Sequence, residues 1–491
     1  MHEFTRGLKG QFDIPFVVFT AIEVATRRHI RDHEIPRSQI SGVVSYNDCH
    51  QETSLGKESF QMIRPQLEEF MRRMDANSVA IIPGARESTR SNDTQYRFRQ
   101  DSDFYYLTGF EEPDSIAVIR PSNETKYTLF VRPRDPEREI WDGRRAGVEG
   151  AKKNYGAQES FPIAAFNERL QEILDGAEKL YYRLGINREL DDTIIRQIAQ
   201  MRSMNRKPIH PPQSIVDPAT IVHELRVIKS PEEIEIMQRA ADIAAEAHCE
   251  AMKQARAGMK EYQVEALIER IFRERGALAP AYTSIVGAGA NATVLHYINN
   301  DGELHDGELL LIDAGAEYKG YASDITRTFP VSGRFSKAQR DIYDLVLKAQ
   351  VACVEMVRPG TTHDELKQRS IEILTEGMVE LGLLKGDPEE LIKEKKYEQF
   401  YMHGLGHMLG IDVHDVGRYY FRNESRALEP GVVMTVEPGI YISAETKEAP
   451  EQYLGIGVRI EDDVLCTQNG PRVLTNKVPK HAEEIEALMA R

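Results

Sequence analysis

From residue 78 to residue 216 the chain alternates short apolar runs with longer stretches in which apolar residues recur every three or four positions. SVAIIPGA (78–85) reads as a buried strand, SIAVIRPSNETKYTLFVRPRD (115–135) as two strands around a Ser-Asn-Glu turn, and KLYYRLG (179–185) as another. AAFNERLQEILDG and ELDDTIIRQIAQMR have helical spacing, and FQMIRPQLEEFMRRMD (60–75) predicts a helix with a proline in its early part. Strands alternating with helices predict a compact α/β domain over residues 59–215, with Pro208, Pro211 and Pro212 marking a linker after it.

A second domain is predicted over 216–491. It opens on IKSPEEIEIMQRAADIAAEAHCEAM, where Ser230 is a good N-cap, Pro231 suits the first helical position and Glu233 completes a capping box. Ile234, Met237, Ala241, Ala244 and Ala245 continue at helical spacing. EYQVEALIERIFRERG predicts a helix ending at Gly276, and further helices are expected at about 336–357 and 363–382. The rest reads as strands and hairpins. GIGVRIEDDVL (455–465) alternates Val458, Ile460 and Val464 with Arg459, Glu461 and Asp463, which predicts one apolar face and one exposed polar face. There is no tandem repeat and no low-complexity tract.

Composition narrows the classes. A chain of 491 residues can bury more than one core, and 41 % hydrophobic with 29 % charged residues is the balance of a soluble globular protein. A net charge of −16 argues against a nucleic-acid partner, and the absence of any long uninterrupted apolar stretch argues against a membrane span. The cysteines, Cys49, Cys249, Cys353 and Cys466, form no CxxC and read as core or incidental thiols in a reducing, cytoplasmic setting. Residues 1–58 read as an N-terminal extension without an assigned role. Its FVVFTAI (16–22) is short for a signal-peptide core, its arginines hint at a transit peptide, and its acidic residues argue against one; poor order is one expectation.

Candidate chemistry lies in the second half. LLLIDAGAEYKGYASDITRTF (309–329) reads as strand, turn and strand, with Asp313 and Asp324 in apolar context. A turn centred near Tyr318–Lys319 would set them opposite each other, with Cβ atoms about 4.5–5.5 Å apart. Two carboxylates that close repel unless a proton or a cation lies between them. A solvated hairpin with chance acids accounts for the pair equally well. HGLGHMLGIDVHD (403–415) supplies His403, His407 and His414, interleaved with glycines that weaken a helix. VVMTVEPGIYI (432–442) is an apolar strand carrying Glu437, which is either at an exposed strand end or has a partner. Four carboxylates with imidazole suit hard or borderline divalent ions such as Mn²⁺, and two such ions can together activate a hydroxide and polarise a carbonyl.

Five segments, STRSNDTQYRFRQDSDFYYLTGFEEPDS with EIWDGRRAG, IDAGAEYKGYASDITRTF, HGLGHMLGIDVHD, TVEPGIYI and GIGVRIEDDV, resemble in that order the metallopeptidases of the pita-bread fold, and most closely the aminopeptidase P family. The resemblance covers about residues 60–490. It implies an α+β pita-bread catalytic domain preceded by a smaller α/β domain, and hydrolysis of the N-terminal bond in peptides with proline second. It implies a dinuclear site with Asp313, Asp324, His407, Glu437 and Glu461 as ligands, Asp324 and Glu461 bridging, and a bridging hydroxide as nucleophile. The ions would be Mn²⁺ first, with Co²⁺, Fe²⁺ and Zn²⁺ as alternatives. Glu437 would handle the proton passed to the leaving amine. His296, His403 and His414 would bind the substrate carbonyl, and Arg459 would hold a ligand aspartate and Tyr441 in place. A homodimer or homotetramer is implied, with aromatic help to the proline pocket from a neighbouring subunit. Tyr105 stands where bacterial relatives often have tryptophan. Prolidase, which cleaves Xaa-Pro dipeptides with the same ligands, is the nearest rival; a non-enzymatic peptide-binding module on the same scaffold is a rival of another class. Methionine aminopeptidase lacks the N-terminal domain, and creatinase-type enzymes lack the ligands.

Overall fold

The computed structural model describes residues 64–490, so the expectations for 1–58, including Cys49 and the FVVFTAI stretch, lie outside the described residues. The first helix runs Pro65–Arg73. Its proline occupies the first helical position, where the missing N–H costs nothing.

A six-stranded mixed sheet follows, in the spatial order 159–162, 127–131, 116–119, 78–83, 179–181, 214–216. Strand Ser78–Pro83 is antiparallel to Ile116–Ile119 and parallel to Lys179–Tyr181. Its alternate residues serve two cores. Ala80 and Ile82 join Leu67, Phe70, Phe104 and Val222 on one face. Val79 and Ile81 join Phe166, Leu170, Ile194 and Ile198 on the other. Burial on both faces is why this strand reads as an unbroken apolar run. Each of these Val, Ile, Leu and Phe side chains contributes about 1.5–3 kcal/mol when fully buried. The proline-rich stretch at 208–212 is not a linker out of this sheet, because strand Ser214–Val216 after it pairs with Lys179–Tyr181.

The second half packs helices Pro231–Gln254, Glu261–Glu274, Lys337–Glu355 and His363–Glu380 around small antiparallel sheets. The Ser230–Glu233 capping box is formed, and Gly276 lies in the left-handed region (φ +89°) just past the second of these helices. Ile243, Val264, Ile268, Val346, Leu374, Leu310, Ile312, Ile440 and Val458 share one core.

Two long hairpins carry the site, and each is broken once. Strand Leu309–Asp313 pairs with Thr326–Pro330, but beyond the break Ala316–Tyr318 pairs with Tyr321–Ala322 in a different sheet. Strand Val433–Val436 pairs with Asp462–Thr467, while Gly439–Ile442 pairs with Ile456–Arg459. The second break falls at Pro438, which has no N–H to give to a ladder.

The first hairpin differs from its expected register. Its turn is Lys319–Gly320, both with positive φ (+49° and +80°), so the glycine draws the turn one residue further along. Moving the centre by one residue moves the partner by two. Asp313 is therefore opposite Thr326, and Asp324 is its diagonal neighbour on the same face.

The two halves are tied by a buried ionic cluster. Arg226, 2 % exposed, donates to Asp103 (2.7 Å), Asp412 (2.7 Å) and Asp415 (2.6 Å), and Lys229 donates to Asp415 at 2.9 Å. Ser102 donates to Asp412 at 2.6 Å and Arg99 to the Ile411 carbonyl at 2.7 Å. The loop bearing His407 and His414 is thereby clamped to the N-terminal half. Cys353 and Cys466 are buried, Cys249 is half-buried, and all three are free thiols.

Candidate metal centre

The hairpin breaks bring four carboxylates to one place. Asp313 ends its strand, Asp324 precedes the paired strand, Glu437 sits between two strands, and so does Glu461. The chain at these breaks is close-packed: a Cβ on Gly315 would lie 1.7 Å from the Ser323 carbonyl oxygen, and one on Gly406 2.1 Å from that of Thr435. The polar face expected to be exposed on 455–465 is instead buried, with Arg459 at 3 %, Glu461 at 1 % and Asp463 at 1 % exposure. The first hairpin covers that face, through Asp313 and Thr326 at Arg459, Thr326 at Glu461 and Asp324 at Asp463, which alternation along one strand cannot reveal. Glu437 is not at an open strand end either. Its Oε1 lies 3.5 Å from His407 Nε2 and accepts from Thr435 Oγ1 at 3.3 Å.

His407 joins from the glycine-rich loop, which is non-helical as its glycines predict. Its Nδ1 faces the Met408 carbonyl at 3.1 Å, which assigns the proton to that nitrogen. Nε2 is then a lone pair aimed at Asp324 Oδ2 (3.4 Å) and Glu437. A lone pair facing carboxylate oxygens is an arrangement that a cation completes. Asp324, His407 and Glu461 offer ligand atoms that all lie within 4.8 Å of one another.

Charge supports the same conclusion. Burial and the neighbouring Asp313 push Asp324 well above the usual carboxylate range; burial and Asp324 do the same for Glu461. Glu437 is raised to about 8 by burial and by Glu461. Among the described residues Arg459 is the one guanidinium hydrogen-bonded to any of the four carboxylates, donating to Asp313 Oδ2 at 2.6 Å. It also donates to the Tyr441 hydroxyl at 2.9 Å and to Thr326 Oγ1 at 3.1 Å, and Thr326 in turn donates to Glu461 at 2.7 Å. One guanidinium against four carboxylates, Asp324 and Glu461 buried and Asp313 and Glu437 half-buried, leaves a deficit of positive charge that divalent cations would offset. An oxygen-rich donor set with one imidazole fits hard or borderline ions.

The remaining candidates are distributed unevenly. His403 Nε2 lies 2.9 Å from the Tyr441 hydroxyl, and burial followed by the Arg459 charge lowers its pKa to about 4. His414 stacks edge-on against His407 (ring centroids 4.3 Å apart), and burial and that neighbour lower its pKa. These two, His296, the four carboxylates, Arg459 and the apolar Ile285, Leu295, Ile298 and Val413 line one cavity of about 460 Å³. Tyr105 is not brought to it. Its ring packs under Gly320 and its hydroxyl donates to the Lys319 carbonyl at 3.1 Å, beside a separate cavity.

Three contributors are missing from the reading of the sequence. The Tyr282 hydroxyl donates to Asp313 Oδ1 at 2.5 Å and also contacts Asp324 Oδ1, joining the two aspartates. Asp463 accepts from the Asp324 backbone N–H at 3.1 Å. His363, 43 residues away in sequence, holds the Gly406 carbonyl at 3.0 Å. A tyrosine heading an apolar strand and a histidine opening a helix carry no local signal for such roles.

Comparison with known proteins agrees with this geometry. Residues 235–468 match the model of metallopeptidase family M24, and residues 64–181 match the aminopeptidase P N-terminal domain. The chain is 45 % identical over 439 residues to the Xaa-Pro aminopeptidase of Escherichia coli K12, covering 89 % of this chain and 98 % of that one. It is 36 % identical to human Xaa-Pro aminopeptidase 3 over 414 residues, covering 82 % of this chain and 78 % of that one. Among solved structures, a Pseudomonas aeruginosa aminopeptidase superposes with a TM-score of 0.85 at 48 % identity, covering 87 % of this chain and 99 % of that one. Zinc-substituted E. coli aminopeptidase P in complex with product gives 0.84 at 45 % identity, covering 86 % and 96 %. The fold is the α+β pita-bread fold with an α/β domain before it.

Proposed function

The chain belongs to metallopeptidase family M24, and from that membership we propose that it removes the first residue of peptides whose second residue is proline, at a site for two divalent ions. It is a metal-dependent aminopeptidase. The observation that carries the site assignment is the convergence on His407 of buried Asp324 and Glu461 with half-buried Asp313 and Glu437, with Arg459 donating to Asp313.

Asp313 would hold one ion, His407 and Glu437 the other, and Asp324 and Glu461 both. When bound, the ions supply Lewis acidity for the scissile carbonyl and a water that is nucleophilic at neutral pH. Glu437 lines the cavity, where a carboxylate can accept the proton of the attacking water and return it to the departing prolyl nitrogen. His296 and His414 face the same space, where N–H groups stabilise negative charge on the carbonyl oxygen, and His403, whose ring nitrogens meet the Gly404 carbonyl and the Tyr441 hydroxyl, lines the wall beside them. Arg459 fixes Asp313 and Tyr441, and Tyr441 fixes His403. A prolyl nitrogen has no N–H, so a site that grips substrate through backbone N–H groups would handle it poorly, whereas an apolar wall such as Leu295, Ile298 and Val413 suits its ring.

Manganese as the native ion, a cytoplasmic location, a homodimer or homotetramer, and domains at 59–215 and 216–491 belong to the same proposal. The carboxylate-rich donor set suits Mn²⁺. No helix among the described residues is long and apolar enough to cross a membrane. Ile140 and Trp141, 80 % and 84 % exposed on one helix, give an apolar surface that a second copy could cover. The deciding test is to strip metal with a chelator, restore Mn²⁺, and follow an Xaa-Pro-Yaa tripeptide beside an Xaa-Pro dipeptide. Restored tripeptide cleavage is expected. Cleavage of the dipeptide alone would make the protein a prolidase, and cleavage of neither would leave a peptide-binding module.

A further inference from the structure

Residues 288–302 form an irregular segment, with a short 3-10 turn at Gly289–Thr293 and little regular structure after it. The segment carries Leu295, His296 and Ile298 to the cavity wall. His296 is exposed, and among the described residues its ring has no hydrogen-bond partner. Its direction is therefore set by the backbone that carries it.

That backbone is gathered onto one side chain. Glu261, first residue of helix Glu261–Glu274, is fully buried. Its Oε1 accepts from the Ala288 N–H at 2.7 Å and from the Asn291 side-chain amide at 3.0 Å. Its Oε2 accepts from the Gly302 N–H at 2.7 Å and from the Tyr297 hydroxyl at 2.8 Å. Among the described residues no cationic side chain pairs with it. A buried carboxylate without a counter-ion is stabilised by its donors alone, and here all four come from one segment. They bracket His296, with Ala288 and Asn291 before it, Tyr297 directly after it and Gly302 beyond. The approach is close enough to need a glycine, since a Cβ on Gly302 would lie 2.8 Å from Glu261 Oε2. Asn300 adds a second tie, accepting from the Val286 N–H at 3.0 Å and donating to the Ser284 carbonyl at 2.9 Å.

We infer that Glu261 is a positioning residue for the peptidase reaction, which by collecting four donors of the 288–302 segment directs His296 toward the substrate carbonyl. This rests on the aminopeptidase reading above. Glu261→Gln turns one end of the acceptor into a donor. If that end meets Gly302, the backbone N–H cannot reverse its role; if it meets Ala288, the same holds. Tyr297→Phe removes a single donor and is the milder variant should the first fail to fold.

The test has two readouts. Hydrogen exchange on the metal-free protein should show faster exchange in 288–302 for either variant, with the rest of the chain unchanged. Turnover of an Xaa-Pro-Yaa tripeptide should fall about 10- to 100-fold in kcat for Glu261→Gln, with bound metal at the parental level, the loss expected when a reacting group is displaced by about 1 Å. In a His296→Ala background the same substitution should cost about twofold or less, because the residue it acts through is gone. Unchanged exchange, or equal losses in both backgrounds of an active parent, overturns this inference alone. A parent that cleaves no Xaa-Pro peptide overturns the functional reading and this inference with it.

Discussion

Removing the metal should reverse the way this protein's stability depends on pH. Consider Glu437, whose carboxyl rises from its ordinary 4.5 to about 8 in the metal-free fold. Between those values the metal-free folded chain holds a proton that the unfolded chain has released. A folded-state pKa raised above the unfolded value gives stability that is fully present below 4.5 and lost as pH rises through about 8. The slope is about 1.4 kcal/mol per pH unit, so the whole window amounts to about 5 kcal/mol. Asp324 and Glu461 are displaced in the same direction and steepen the fall. Bound divalent ions hold these carboxylates ionised and remove the penalty. The gain in stability on adding Mn²⁺ should therefore grow steadily from pH 5 to pH 8, and metal binding at pH 7 should release protons. Calorimetric unfolding of chelated and Mn²⁺-saturated protein across that range measures the first. Titration in buffers of different ionisation enthalpy measures the second. A Mn²⁺ gain that is flat across the range, or no proton release, would refute the assignment of these carboxylates as ligands.

Asp313→Asn and Glu461→Gln should each abolish peptidase activity and lower bound metal while the circular dichroism spectrum stays that of the parent; full activity in either removes that residue from the ligand set. Arg459→Met leaves Asp313 and Tyr441 without their shared donor, so metal affinity should fall about 10- to 100-fold in a chelator competition. Parental affinity would mean that Arg459 only fills space. Arg226→Met removes the donor shared by buried Asp415 and half-buried Asp103 and Asp412 between the two halves, and should cost about 3 kcal/mol in denaturant unfolding. A loss below about 1 kcal/mol would show that the cluster is not what ties them together.

Some of the architecture was legible because its signals are local. The Ser230–Glu233 capping box, the helix ending before Gly276 and the apolar run at 78–83 depend on residues a few positions apart, and each forms where the pattern places it. The hairpin register was legible only to within one residue, because Lys319–Gly320 and Tyr318–Lys319 are both plausible two-residue turns until positive φ is assigned. Since a one-residue shift of the turn moves the partner by two, the error left Asp313 and Asp324 on the same face. The alternation at 455–465 was legible as a period but not as an environment. Whether Arg459, Glu461 and Asp463 meet water or other carboxylates depends on what covers the strand.

The sequence by itself therefore determined the inventory: which residues can carry charge into apolar strands, in what order, and on which face of each. Period-two alternation and turn chemistry act over a few residues, so one chain suffices to read them. Tertiary structure alone decided convergence. Tyr282 joins Asp313 to Asp324, Arg327 donates to the Glu461 carbonyl, and Asp103 reaches the loop of His407 through Arg226. These contacts link residues tens to hundreds of positions apart, and hydrogen bonds over such separations leave no periodicity in the chain. They exist because packing two halves and two broken hairpins together buries those polar groups, and a buried polar group needs a partner wherever in the sequence that partner lies.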